Sequence, residues 1–183
     1  MGATRHNKIE RIFSASKPNE KWCIDFTYLP TIQGIKQYNC TIIDLYNRCV
    51  VASITSDALT TQLAIDTVKM ALCFAKKKPK SLILHSDRGV QFTSKKFVEF
   101  CEQEKIIQSM SAAGCPYDNA PMERYFNTLK TELINTNQYF STEHLQADIS
   151  KFAHLWYNHN RPHSYNGYKT PFEKRFEIDN NVT

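Results

Sequence analysis

The sequence predicts an α/β domain: a five-stranded mixed sheet, three antiparallel strands followed by α-linked parallel strands, flanked by helices. Three observations carry this expectation. Three strand-like segments follow one another closely from Trp22, separated only by short turn sequences. Two further short apolar segments, near residues 81–85 and 106–110, are linked by stretches of helical periodicity. The composition, 42% hydrophobic and 22% charged in 183 residues with five glycines, supports one buried core and excludes a fibrous or disordered chain.

Residues 1–20 are polar and basic with weak periodicity, and read as a linker or a trimmed end. From Trp22 to Leu29 the chain alternates, with Trp22, Ile24, Phe26 and Tyr28 on one face and Cys23, Asp25, Thr27 and Leu29 on the other. Gln33-Gly34 reads as a turn into a strand over 37–45, and Tyr46-Asn47-Arg48 as a turn into a third strand over 49–55. Residues 60–76 place Ala64, Val68, Leu72 and Ala75 on one helical stripe, ending in Lys76, Lys77 and Lys78 before Pro79. A strand over 81–85 stops just short of Asp87. Ser94 is a cap for a helix turning Phe97, Phe100 and Cys101 inward, and residues 106–110 form the fifth strand. The loop 111–119 leads to a helix over 120–135, and a last helix over 142–157 carries Leu145, Ile149, Phe152 and Trp156. This order is that of a ribonuclease-H-like fold, with a core over 21–160 and a short irregular tail over 161–183.

The net charge of +5 is compatible with an anionic partner such as DNA, and equally with an ordinary basic protein. Six cysteines lie scattered in apolar runs without a Cys-x-x-Cys pair, as buried residues of a reducing compartment do. No His/Cys spacing points to zinc, and no apolar run approaches the roughly 20 residues a membrane span needs. The expected location is cytoplasmic, with access to the nucleoid.

Three acids stand out. Asp25 is a carboxylate in the middle of an aromatic, β-branched strand, where an unpaired charge is costly unless it serves chemistry; a solvated face of an edge strand is the alternative. Asp87 follows an apolar strand and precedes Arg88-Gly89, at the strand end where α/β sheets place ligands. Glu123 lies in the first turn of a helix announced by Asn119 and Pro121, where a carboxylate also complements the helix dipole. Met122, Phe126, Leu129 and Leu133 make the apolar stripe of that helix. Glu123, Asn127 and Lys130 make an adjoining polar one, with Lys130 two turns along from Glu123 and placed to hold a phosphate. Periodicity alone does not choose between Glu123 and Glu132.

Four motifs then coincide. Pro18-Asn19-x-x-Trp22-x-x-Asp25-x-Thr27 is followed by His85-Ser86-Asp87-Arg88-Gly89-x-Gln91-Phe92-Thr93-Ser94. Tyr117-Asp118-Asn119-Ala120-Pro121-Met122-Glu123 leads into Thr128-Leu129-Lys130-x-Glu132, and Tyr157-Asn158-x-x-Arg161-Pro162-His163 is followed by Thr170-Pro171. Thirty-five residues separate Asp87 from Glu123. In these motifs, from about Asn7 to Phe172, the chain resembles the integrase catalytic core, specifically transposases of bacterial insertion sequences encoded in two overlapping frames. The resemblance implies a triad of Asp25, Asp87 and Glu123, choosing Glu123 over Glu132. It also implies two Mg²⁺ or Mn²⁺ ions and metal-dependent cleavage and transfer of DNA strands. Lys130 is supported as a DNA contact, and Asn127, Arg124 and Arg161 are further candidates. Paired transposon ends imply a homo-oligomer on DNA. The loop before Gly114 departs from the family in lacking a basic residue.

Three other readings compete: a nuclease that cuts without joining, a DNA-binding module with vestigial acids, and a tyrosine recombinase using Arg161, His163 and Tyr165. Nothing in the sequence resembles a helix-turn-helix reader of transposon ends. The aromatic residues at core spacings are assigned to packing, including Trp22 on the face opposite Asp25.

Overall fold

Alternation produces the expected meander. β1 (Lys21–Ile32), β2 (Ile35–Asp44) and β3 (Val50–Ser56) pair antiparallel in sequence order. The structure is a computed structural model that describes residues 6–76, 80–112 and 116–177. Lys77, Lys78, Pro79, Gly114 and Cys115, all named above, lie outside the described residues. Gln33 and Gly34 have φ of 50° and 80°, the left-handed pair that a tight hairpin requires. β1 runs past Leu29 through Pro30, where its register against β2 shifts, so the missing proline N–H leaves no gap in the ladder. The second turn is closed by side chains: Asp44 accepts the Tyr46 N–H and Asn47 the Cys49 N–H.

Helix α1 (Thr61–Phe74) starts on the Thr60 hydroxyl, which accepts the Leu63 N–H. It leads to β4 (Leu82–Ser86), a single turn α2 (Val90–Thr93) not foreseen in the sequence, and α3 (Lys95–Gln103) capped by Ser94 as expected. β5 (Ile106–Met110) pairs parallel with β4, and β4 parallel with β1, giving the order β3-β2-β1-β4-β5. β1 is thus the central strand, not an edge. Trp22, Ile24 and Ile42 are buried on one face against Leu63, Val68 and Phe97. Cys23, Ile43 and Leu45 are buried on the other against α4 (Ala120–Glu132) and α5 (Thr142–Lys151).

Two more elements differ from expectation. The last helix does not stay α-helical to residue 157: from Phe152 to Asn160 it widens into π-helical turns. The wider turn brings Ala153, Tyr157 and Asn158 inward and rotates Trp156 outward to 40% exposure. The tail is not irregular either. Thr170 and Glu173 form a capping box that starts α6 (Pro171–Phe176). Residues 6–20 form no strand or helix but are fastened to the sheet: Ile9 is buried, the Lys8 N–H bonds Ser109, and Arg48 bonds the Phe13 carbonyl. Cys23, Cys40, Cys49 and Cys101 are buried, and Cys73 is exposed. Among the described residues no helix is long and apolar enough to cross a membrane.

Candidate active site

The pairing of β1 with β4 places two of the acids. Lys21, Trp22 and Cys23 stand beside Ile83, Leu84 and His85, and the same offset carried two residues further sets Asp25 beside Asp87. Parallel strands lie about 4.8 Å apart, so the two carboxylates share one end of the sheet. Asp25 emerges on the face that α4 covers, and Glu123 is exposed in the first turn of α4. Asp87 is exposed and folds back so that its Oδ1 accepts the Gly89 N–H at 2.8 Å. A Cβ at position 89 would stand 3.0 Å from that oxygen and would push the Asp87 carboxylate by a few tenths of an ångström.

Beneath the acids the sheet carries a buried polar strip. Asp25 and Thr27 lie opposite Thr41 and Asn39, which lie opposite Ser53 and Thr55. Thr41 donates to Asn39 Oδ1 at 2.6 Å, and Asn39 Nδ2 donates to Ser53 and Thr55. These groups satisfy one another and leave Asp25 to face α4. One Asp25 oxygen accepts the Phe26 N–H at 2.7 Å and the other accepts Asn119 Nδ2 at 2.9 Å. The bonds favour the charged form, yet burial, then the Asp87 charge and, more weakly, the Glu123 charge push the Asp25 carboxyl up to about 7. All three acids therefore act on one region of space.

Asn119 is the residue that sequence reasoning misjudged. It was expected to cap α4 but makes no capping bond, spending its amide on Asp25 instead. Its Oδ1 is buried without a hydrogen-bond partner among the described residues. The only hint in the sequence was a polar residue one turn before Glu123, which capping explained equally well.

The loop entering α4 is fixed from below by His85 and Asp118. His85 Nε2 reaches the Asp118 carbonyl at 2.8 Å, which makes Nε2 the donor, so Nδ1 accepts the Ser109 hydroxyl at 2.9 Å. Burial holds the His85 pKa below its ordinary value, consistent with a neutral ring. The Asp118 carboxylate accepts Arg11 Nε at 2.7 Å, the Ala112 N–H at 2.9 Å and Asn7 Nδ2 at 3.2 Å.

Of the other predicted residues, Arg124 and Asn127 are exposed on α4 and Lys130 is half-buried there. None of the three has an ion-pair partner among the described residues. Arg161 stands apart from the acids, its Nε and Nη2 forked onto Glu132 at 2.8–3.1 Å. Glu132 is thereby occupied structurally, and Glu123 is the acid of α4 whose charge acts on Asp25.

The donor set suits a hard divalent cation. Three carboxylates and the orphaned Asn119 oxygen are all hard acceptors, and among the described residues no cationic side chain pairs with them. Among the described residues, however, no three His, Cys or carboxylate side chains already stand in closed ligand geometry.

The chain matches the integrase core domain family over residues 15–116 and again over residues 104–171. It is 39% identical over 174 residues to the transposase InsF for insertion sequence IS3A of Escherichia coli (strain K12), covering 95% of this chain and 59% of that protein. It is 38% identical over 173 residues to the transposase for insertion sequence element IS904 of Lactococcus lactis subsp. lactis (strain IL1403), covering 93% and 68%. Two solved structures resemble it in fold. One is the HTLV-2 integrase catalytic core domain in complex with magnesium (TM-score 0.63, 22% identity, 88% of this chain and 99% of that one). The other is a chain of the simian T-cell lymphotropic virus intasome in complex with PP2A regulatory subunit B56 gamma (TM-score 0.75, 18% identity, 96% and 59%). The fold is ribonuclease-H-like.

Proposed function

This chain belongs to the integrase core domain family, among the transposases of insertion sequences, and we propose that it is a catalytic core that cuts and joins DNA strands. In this reading Asp25, Asp87 and Glu123 hold two divalent cations, Mg²⁺ or Mn²⁺. The observation that carries it is the crowding of negative charge at Asp25, a mid-strand carboxyl pushed to about 7 by burial and by two other acids. Structural carboxylates are normally paired with a cation; Asp25 has only the Phe26 N–H and the Asn119 amide, which fall short of offsetting its burial and the neighbouring acids.

Cations held there would supply charge stabilisation to the attacking and leaving oxygens of a displacement at phosphorus. The residues do the rest. Asp25, rigid on the central strand, would hold the cations from the floor of the site. Asp87 closes one side, its orientation set by the Gly89 N–H. Glu123, exposed in the first turn of α4, would close the other. Asn119 keeps one Asp25 oxygen oriented. Along α4, Arg124, Asn127 and Lys130 offer phosphate contacts to the DNA backbone, and Arg161 would reach DNA only by releasing Glu132. Joining two transposon ends to a target calls for more than one copy on the DNA.

The test is strand transfer of a pre-cut end oligonucleotide into plasmid DNA in Mg²⁺ or Mn²⁺. Glu123→Gln is expected to reduce both cleavage and joining by roughly 10²-fold or more while leaving circular dichroism and cooperative unfolding in EDTA intact. Full activity in that variant would sink the triad. Cleavage without joining in the native chain would reduce the reading to a nuclease, and activity persisting in EDTA would remove the cations from it.

A further inference from the structure

Against the first turn of α4 lies a cavity of about 460 Å³. Its walls include Phe13, Arg48, Pro121, Arg124, His163 and Tyr165, and among the described residues no acidic side chain lines it. We propose that this cavity takes one unpaired nucleotide of the DNA strand flanking the reacting phosphate, its base against Tyr165 and its phosphate on Arg124. The proposal rests on the reading of the chain as a DNA-joining core.

Position comes first. Arg124 follows Glu123 directly and is turned about 100° around α4, so a strand crossing Glu123 meets the cavity at its next step. The charge is of one sign. Arg48 is buried, with its guanidinium bonded to the carbonyls of Leu45 and Phe13 rather than to a carboxylate. Arg124 is exposed and has no ion-pair partner among the described residues. Burial and the facing guanidinium groups of Arg48, Arg161 and Arg124 depress the His163 pKa to about 4, leaving a neutral ring in a positive field.

The aromatic wall is held ready. Tyr165 is 44% exposed on a short turn, Ser164–Asn166, yet its ring is stacked under the Arg48 guanidinium at 3.7 Å. The turn itself is pinned by His163 Nδ1, which accepts the Tyr165 N–H, and by Asn166, which donates to the Asn47 carbonyl. An exposed aromatic that costs no ordering on contact, beside an unpaired guanidinium, matches the stacking platforms that bind single-stranded nucleic acid. The volume lies within the roughly 300–1,000 Å³ of small-ligand pockets, and its concave form suits a splayed nucleotide rather than a duplex backbone.

The experiment uses the full chain in EDTA, so binding is read without chemistry, and two duplexes: one blunt, one with a short unpaired flank carrying 2-aminopurine. The flanked duplex is expected to bind with a change in 2-aminopurine fluorescence. Tyr165→Ala and Arg124→Ala should weaken its binding about fivefold or more, with a much smaller effect on the blunt duplex, and Tyr165→Phe should bind as the native chain does. Arg124 is exposed, so its replacement tests the cavity even if Tyr165→Ala folds poorly. Equal losses on both duplexes, or binding without a fluorescence change, overturn the proposal while Mg²⁺-dependent joining by the native chain leaves the wider reading standing. A change of mass in Tyr165→Ala by light scattering with an unaltered nucleotide signal would make the cavity a contact between copies and also overturn it. A native chain that binds neither duplex in EDTA overturns the proposal, while Mg²⁺-dependent joining decides the wider reading separately.

Discussion

Asp25 shows how one side chain can be destabilising to the fold and still be retained. Its carboxyl is raised from 3.8 to about 7, first by burial and then by Asp87. Below about pH 4 it is protonated in both folded and unfolded chains and contributes nothing to stability. As pH rises from 4 to 7 the unfolded chain gives up this proton first, so the folded state is progressively penalised, and above 7 the penalty is constant. In EDTA, Asp25→Asn is therefore expected to be more stable than the native chain by roughly 1–3 kcal/mol at pH 8, with the difference shrinking toward pH 4. Thermal unfolding across that range measures it, and a gap independent of pH would remove Asp25 from the crowd of acids. Adding Mg²⁺ should raise the unfolding temperature of the native chain and leave Asp25→Asn unmoved.

Elements differ in how far the sequence announces them, and the reason is packing. The strands were legible because the sheet is covered on both faces: alternation along β1 sorts Trp22 and Ile24 to one cluster and Cys23 to the other. Asp25 and Asp87 were legible as residues, but their adjacency comes from the β1–β4 register, which no local pattern encodes. The π-helical turns were not legible, because residues 149–157 satisfy an α-helical stripe equally well until Asn158 is considered. That residue sets the phase. Its Oδ1 accepts the Val50 N–H and its Nδ2 donates to the Val50 carbonyl, both at 2.9 Å, completing the outer edge of β3 with a side chain. The α6 capping box was present in Thr170-Pro171-x-Glu173, yet six residues are too few for an apolar period to show. Asn158→Leu leaves both Val50 groups without these partners and is expected to cost about 1–3 kcal/mol in denaturant unfolding. A neutral result would mean that the π-helical turns are set by Tyr157 and Ala153 packing alone.

At the scale of the whole molecule, the site is assembled where chain segments far apart in sequence converge, and buried polar joints hold them. Arg11 and Asn7 grip Asp118, and Asp118 leads directly to Asn119 on Asp25. The opposite end of the sheet uses the same device. The Asp44 side chain is wholly buried; burial raises its pKa, while the Tyr46 N–H and then Arg175 of α6 oppose the rise. Asp44 Oδ2 accepts the Asn19 N–H at 2.8 Å and Arg175 Nη1 at 3.0 Å, and Arg175 Nη2 returns to Asn19 Oδ1. One carboxylate thus joins the approach to β1, the end of β2 and the last helix. Removing one partner of such a joint leaves a charge stranded in the interior, which is worse than having no pair. Arg175→Met is accordingly expected to destabilise the chain by about 3–5 kcal/mol. Asp44→Asn added to Arg175→Met should recover a large part of that loss, giving a coupling energy of roughly 1–3 kcal/mol in a double-mutant cycle. Additive losses in that cycle would mean that α6 is held by Phe172 and its neighbours, and that the buried pair specifies nothing about how the tail closes over the sheet.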